Sequence, residues 1–111
     1  MITASFRLVL PPKRRAEALR TLRSVQGPCS AQPGCIDCHI LSDTQDDEVL
    51  LYIEEWGSRE QLKHHVRTEH YRKLLEVVEW SKEPPDIRFD TVSRREGIEL
   101  VAGVRTAAVN T

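Results

Sequence analysis

The chain has 111 residues, 40% of them hydrophobic and 30% charged, the size and composition of a single folded domain. Sixteen basic residues against seventeen acidic ones leave a net charge of −1, without the basic excess that phosphate binding exploits, so no nucleic-acid partner is expected. No apolar run approaches the ~20 residues of a membrane span, and Arg7 interrupts the stretch an export signal would need, so no membrane partner and a cytoplasmic location are expected.

In chain order, Ile2, Ala4, Phe6 and Leu8 alternate with Thr3, Ser5 and Arg7, the period of a half-buried strand. Pro11-Pro12 stops it and suits a helix start. Ala16, Leu19, Leu22 and Val25 then recur every three residues, which predicts an amphipathic helix from Lys13 to Gln26, ended by Gly27-Pro28. The stretch from Cys29 to Gly34, which contains Pro33-Gly34, reads as a turn. Ile36, Cys38 and Ile40 alternate as a second strand, and the polar stretch from Asp43 to Glu48 fits a hairpin loop. Val49 to Trp56 is a third strand, with Tyr52, Glu54 and Trp56 on one face and Leu51, Ile53 and Glu55 on the other.

Ser58 followed three residues later by Gln61 is a capping-box pattern, so a second helix is expected near Arg59. The stripe of Leu62 and Val66 does not superpose on that of Tyr71, Leu74, Leu75 and Val78, which predicts a break near Thr68–His70. Pro84-Pro85 ends this segment. Ile87, Phe89 and Thr91 make a fourth strand, and Ile98 to Val104 reads as a short fifth strand before a polar, mobile tail. The order strand–helix–strand–strand–helix–strand is the α+β, ferredoxin-like split βαβ arrangement: an antiparallel sheet with helices on one face. Its open face would carry Leu50 or Leu51, depending on register, and a second copy is the commonest cover. One domain is expected over residues 1–111, its core in about 1–95 and the C-terminal strand and tail after it.

Cys35-Ile-Asp-Cys38-His39 matches the C-x-x-C-H pattern of covalent haem attachment. On a strand, however, positions i and i+3 face opposite ways, so the two thiols should diverge. The same divergence counts against a zinc site from Cys29, Cys35, Cys38 and His39, and no metal or other cofactor is expected. His65 shares the buried stripe with Leu62 and Val66, His64 points to solvent, and His70 falls near the break. The pair His65 and His70 is either structural or proton-handling. Glu54, beside Trp56 at a strand end, could line a pocket or pair with a neighbour.

Taken together, Glu54-x-Trp56-x5-Leu62-x2-His65-x2-Thr68-x-His70 resembles the core pattern of the antibiotic biosynthesis monooxygenase family, most closely its quinol-monooxygenase-like branch. The resemblance covers about residues 1–95. It implies a ferredoxin-like protomer paired into a dimeric α+β barrel. It also implies oxygenation of a quinol or similar electron-rich aromatic by dioxygen without metal, flavin or haem. His65 or His70 would serve as catalytic base, and Trp56, Tyr52, Glu54 and Leu62 would bind substrate. Polyketide-tailoring members carry an Asn where this chain has Tyr52 and a Tyr where it has Leu62. Haem-degrading members carry a His at the place of Leu75 and a Trp at the place of His65. Neither activity is therefore expected. A non-catalytic small-molecule-binding or accessory barrel, or an isomerase of the same fold, stays open beside the monooxygenase. A ligand pocket lined by Trp56, His65 and His70 would favour the enzyme, and a solid core there the alternative.

Overall fold

In the computed structural model, residues 1–110 are described, with side chains to Ala107; Thr111 lies outside the described residues. The elements are β1 (Ile2–Val9), α1 (Pro12–Ala31), β2 (Cys35–Ser42), β3 (Val49–Trp56), α2 (Arg59–Val66), α3 (Glu69–Glu79), β4 (Asp86–Thr91) and α4 (Ile98–Asn110). The four strands form one antiparallel sheet in the order β2-β3-β1-β4, with the first three helices on one face. This is the expected α+β, ferredoxin-like fold.

Register follows from the hydrophobic alternation, since a slip of one residue would turn each apolar set to solvent. Ile2, Ala4, Phe6 and Leu8 of β1 lie opposite Trp56, Glu54, Tyr52 and Leu50 of β3, and all eight are buried toward the helices. Leu22, Val25 and Cys29 of α1 and Tyr71, Leu74 and Val77 of α3 close the core from above. Leu50 thus faces the core. Leu51 and Ile53 fall on the opposite face, where Leu41 and His39 of β2 are their cross-strand partners.

Three expectations are corrected. Helix α1 does not end at Gly27-Pro28 but continues to Ala31, with Pro28 inside it. Proline there leaves the Ser24 carbonyl without its helical donor, but the extra turn carries Cys29 fully into the core, and that burial favours continuing the helix. The fifth strand is instead helix α4. The Gly97 backbone N–H donates to the Glu99 carboxylate at 2.8 Å, so an acid sits at the start of the helix, where its dipole favours negative charge. The expected tail after Val104 continues that helix to Asn110. Third, a bulge between Cys35 and Asp37 breaks the alternation of β2: Cys35 lies opposite Trp56 and Cys38 opposite Glu54. The bulge absorbs one residue, so both thiols face the core rather than diverging.

Candidate active site

Strand β3 delivers Tyr52, Glu54 and Trp56 to the core at every second residue, and all three are fully buried. Helix α2 begins where the Ser58 hydroxyl accepts from the Gln61 backbone N–H at 3.2 Å, as its capping pattern predicts. Two turns on, it places His65 over Glu54. His65 Nε2 lies 2.9 Å from Glu54 Oε2, and the imidazole stacks on the Trp56 ring with centroids 4.6 Å apart. Glu54 is surrounded by donors: the Trp56 indole N–H reaches Oε1 at 3.1 Å, and the Cys29 thiol reaches Oε2 at 3.4 Å. Burial opposes ionisation of Glu54. The hydrogen bond and charge of His65, with the Trp56 hydrogen bond, outweigh it and hold the carboxyl below its usual range.

Burial and that negative charge act together on the rest of the cluster. The Cys29 thiol is pushed up by its hydrogen bond to Cys38, by burial and by Glu54. Tyr52 is pushed up by burial and by the same carboxylate, and its hydroxyl accepts from the Cys38 thiol at 3.2 Å. Tyr71, edge-on to His65, is raised to about 12 by burial and Glu54. The donor atoms of Cys29, Glu54 and His65 lie within 4.8 Å of one another, the types and spacing that could hold a soft divalent cation. A metal-bound His normally passes its other ring N–H to an acceptor. His65 Nδ1 is buried with no hydrogen-bond partner, so that support is missing. His39, a member of the zinc set considered from sequence, lies on the opposite face, paired with Asp37 at 2.7 Å.

His70 is half-buried at the start of α3, and its Nε2 accepts from the Gln32 amide at 3.2 Å; His64 is exposed. The two expected histidines lie near each other, with ring centroids 6.2 Å apart. Trp56, His65 and His70 do not line the cavity next to them. The open space lies beside them. A cavity of about 400 Å³ sits between α2 and the ends of β1 and β4, floored by Ile2, Leu62, Val66 and Phe89. Of the six residues proposed from sequence, Leu62 alone lines it. Its rim carries Arg59, Lys63 and Arg67, with Thr91. The sequence reading passed over these three cations, although their spacing of four was a visible signal: at 3.6 residues per turn they form one row along α2. In helical projection, successive steps lead from buried His65 to Leu62, then Val66, then that row.

A profile of the antibiotic biosynthesis monooxygenase family matches residues 1–77, more than two thirds of the chain. The chain belongs to that family. Solved structures agree in fold. The chain is similar to Rv0793 of Mycobacterium tuberculosis at 20% identity, covering 86% of this chain and 98% of that one with a TM-score of 0.78. A conserved protein of Methanosarcina mazei Go1 matches at 21% identity over 80% and 89% of the two chains, with a TM-score of 0.75. A Deinococcus radiodurans protein, provisionally named an antibiotic biosynthesis monooxygenase, matches at 13% identity over 88% and 98%, with a TM-score of 0.80. No curated protein matches the chain significantly in sequence.

Proposed function

We propose that the protein is a monooxygenase that oxidises a quinol or similar electron-rich aromatic directly with dioxygen, binding it in the cavity beside α2. Family membership supports the class of reaction, and the apolar floor of Ile2, Leu62, Val66 and Phe89 suits an aromatic ring. The observation that carries catalysis is the state of His65. Its Nε2 lies against a buried carboxylate and its Nδ1 is buried without a hydrogen-bond partner; in the neutral form that keeps the proton on Nε2, Nδ1 offers the lone pair that takes a substrate proton. Carboxylate-oriented imidazoles of this kind serve as general bases, because the acid fixes the tautomer and stabilises the imidazolium that forms. Glu54 is thus the positioning residue, Trp56 fixes the ring plane, and Leu62 is the side chain that moves for a substrate to reach Nδ1. His70, hydrogen-bonded to Gln32, is the second candidate for the proton. Once ionised, the quinol supplies four electrons: one oxygen atom of O₂ enters the ring, the other leaves as water, and the product is a hydroxyquinone.

The test is oxygen uptake with a panel of reduced quinones and naphthols, without added metal or flavin, using ¹⁸O₂ to follow the atom incorporated. Wild type should incorporate one labelled atom per turnover, and His65→Gln should lose about 10²–10⁴-fold in kcat. No turnover across the panel would overturn the reading. A second reading, a non-catalytic small-molecule-binding barrel, is favoured by the complete burial of Trp56, Glu54 and His65. It expects ligand binding without oxygen uptake. In either case the assembly we propose is a homodimer through the open sheet face.

A further inference from the structure

We infer that the cavity selects aromatic ligands that carry an anionic oxygen acid, which Arg59 and Arg67 hold at its rim. This rests on the cavity being the ligand site proposed above, and it adds the charge class of the ligand. Arg59 and Lys63 of α2 and Arg67 at its C-cap line the same cavity at a spacing of four residues. Like charges four apart on a helix repel, and the protein does little to relieve that repulsion. Lys63 reaches Glu60 at 3.6 Å, whereas Arg59 and Arg67 make no ion pair or side-chain hydrogen bond among the described residues. Some surface arginines have such partners, among them Arg72 with Glu69 and Glu76, and Arg88 with Asp86; what sets Arg59 and Arg67 apart from the other unpaired arginines is that both line the cavity.

No Asp or Glu lines the cavity to compete for these cations. The apolar side chains beside them, Leu62 and Val66 from the same helix and Phe89 from β4, would receive a ring. A guanidinium suits the planar, two-oxygen geometry of a carboxylate, and it also stabilises a phenolate or enolate. The arrangement therefore fits an amphipathic ligand: ring against the floor, negative oxygen toward the row of cations. A neutral aromatic amide of the same shape would fill the floor and offer the arginines only an uncharged acceptor, a weaker partner than a carboxylate.

Binding of 2-naphthoate and of its neutral isostere 2-naphthamide, measured by calorimetry on the full chain without oxygen turnover, tests this. The carboxylate should bind about 10-fold to 100-fold more tightly at low salt, as expected for a charge-assisted hydrogen bond. That preference should collapse at about 1 M salt, where the Debye length is about 3 Å. Arg59→Gln and Arg67→Gln should each remove most of the preference, weakening naphthoate far more than naphthamide. Arg72→Gln, the same charge change on α3 away from the cavity, should leave both affinities unchanged. Equal affinity for the two compounds, a preference that survives in both cavity variants, or no binding of either would overturn the inference. Uptake of oxygen with neutral quinols would stand in each of those cases. Conversely, selective naphthoate binding with no oxygen uptake would leave this inference standing and remove the monooxygenase.

Discussion

Glu54 and His65 are each fully buried, and each is the other's principal polar partner. Removing one member of such a pair leaves a charge or a donor stranded in low dielectric, which costs about 3–5 kcal/mol. His65→Ala should therefore lower the unfolding free energy by that much, while His64→Ala, on the exposed side of the same helix, should stay within about 0.5 kcal/mol of wild type. Equal sensitivity of the two in urea titrations would contradict the burial of one and the exposure of the other. The depressed pKa of Glu54 also fixes a pH dependence. The unfolded chain titrates this group near 4.5 and the folded protein lower, so between those values the unfolded state binds more protons. The Glu54 contribution is present in full above about 4.5 and is lost as pH falls through the folded value. Glu54→Gln should be less stable at neutral pH and should flatten the acid limb of the stability profile measured by denaturant melts.

At the level of elements, the sequence was readable where one local rule acted alone. Alternation located β1 and β3, the Ser58–Gln61 cap located α2, and mismatched stripes located the break that separates α2 from α3. It misled where two rules competed. Gly27-Pro28 is a strong stop signal, yet burial of Cys29 immediately after it outweighs it. Ile98, Leu100 and Val104 fit a period of two, while Ile98, Val101 and Val104 fit a helix, and the Glu99 carboxylate at the Gly97 N–H coincides with the helical outcome. The β2 bulge has no signature in residue identity, and so the facing of Cys35 and Cys38 was beyond reach. Candidate site residues were legible as a cluster around Glu54, but which of them met open space depended on packing that spacing does not report. The turn expected over Cys29 to Gly34 is helical as far as Ala31 and remains a turn at Pro33-Gly34, for a reason visible in the structure. Gly34 has φ of 85°, its carbonyl accepts from the Gly57 N–H at 2.8 Å, and a Cβ there would run into the Gln61 side chain. Gly34→Ala should cost about 1–3 kcal/mol by thermal or urea denaturation, and it should also disturb the start of α2 through Gln61. A neutral effect would show that this turn adopts another conformation.

On the scale of the whole molecule, the open sheet face and helix α4 are among the surfaces that leave apolar groups uncovered. Leu41, Leu51 and Ile53 adjoin one another on the sheet face away from the helices, Leu41 being 44% exposed. Helix α4 exposes Ile98 at 78% and Val104 at 61%, and its approach is tied to the sheet through Arg95, which meets Glu55 of that same open face at 3.2 Å. An isolated protomer would present both surfaces to water, and burying apolar area returns about 25 cal/mol per Å². We expect light scattering at micromolar concentration to give a particle of twice 12.7 kDa. The double variant Leu51→Lys, Ile53→Lys separates the two surfaces. These side chains are not part of the packed core, so the fold should survive by circular dichroism while like charges on facing copies drive the dimer apart. Removing α4 by ending the chain after Glu96 should weaken the dimer less if the sheet face is the main contact. A monomer from the truncation alone, with the double lysine variant still dimeric, would move the interface from the sheet to the helix.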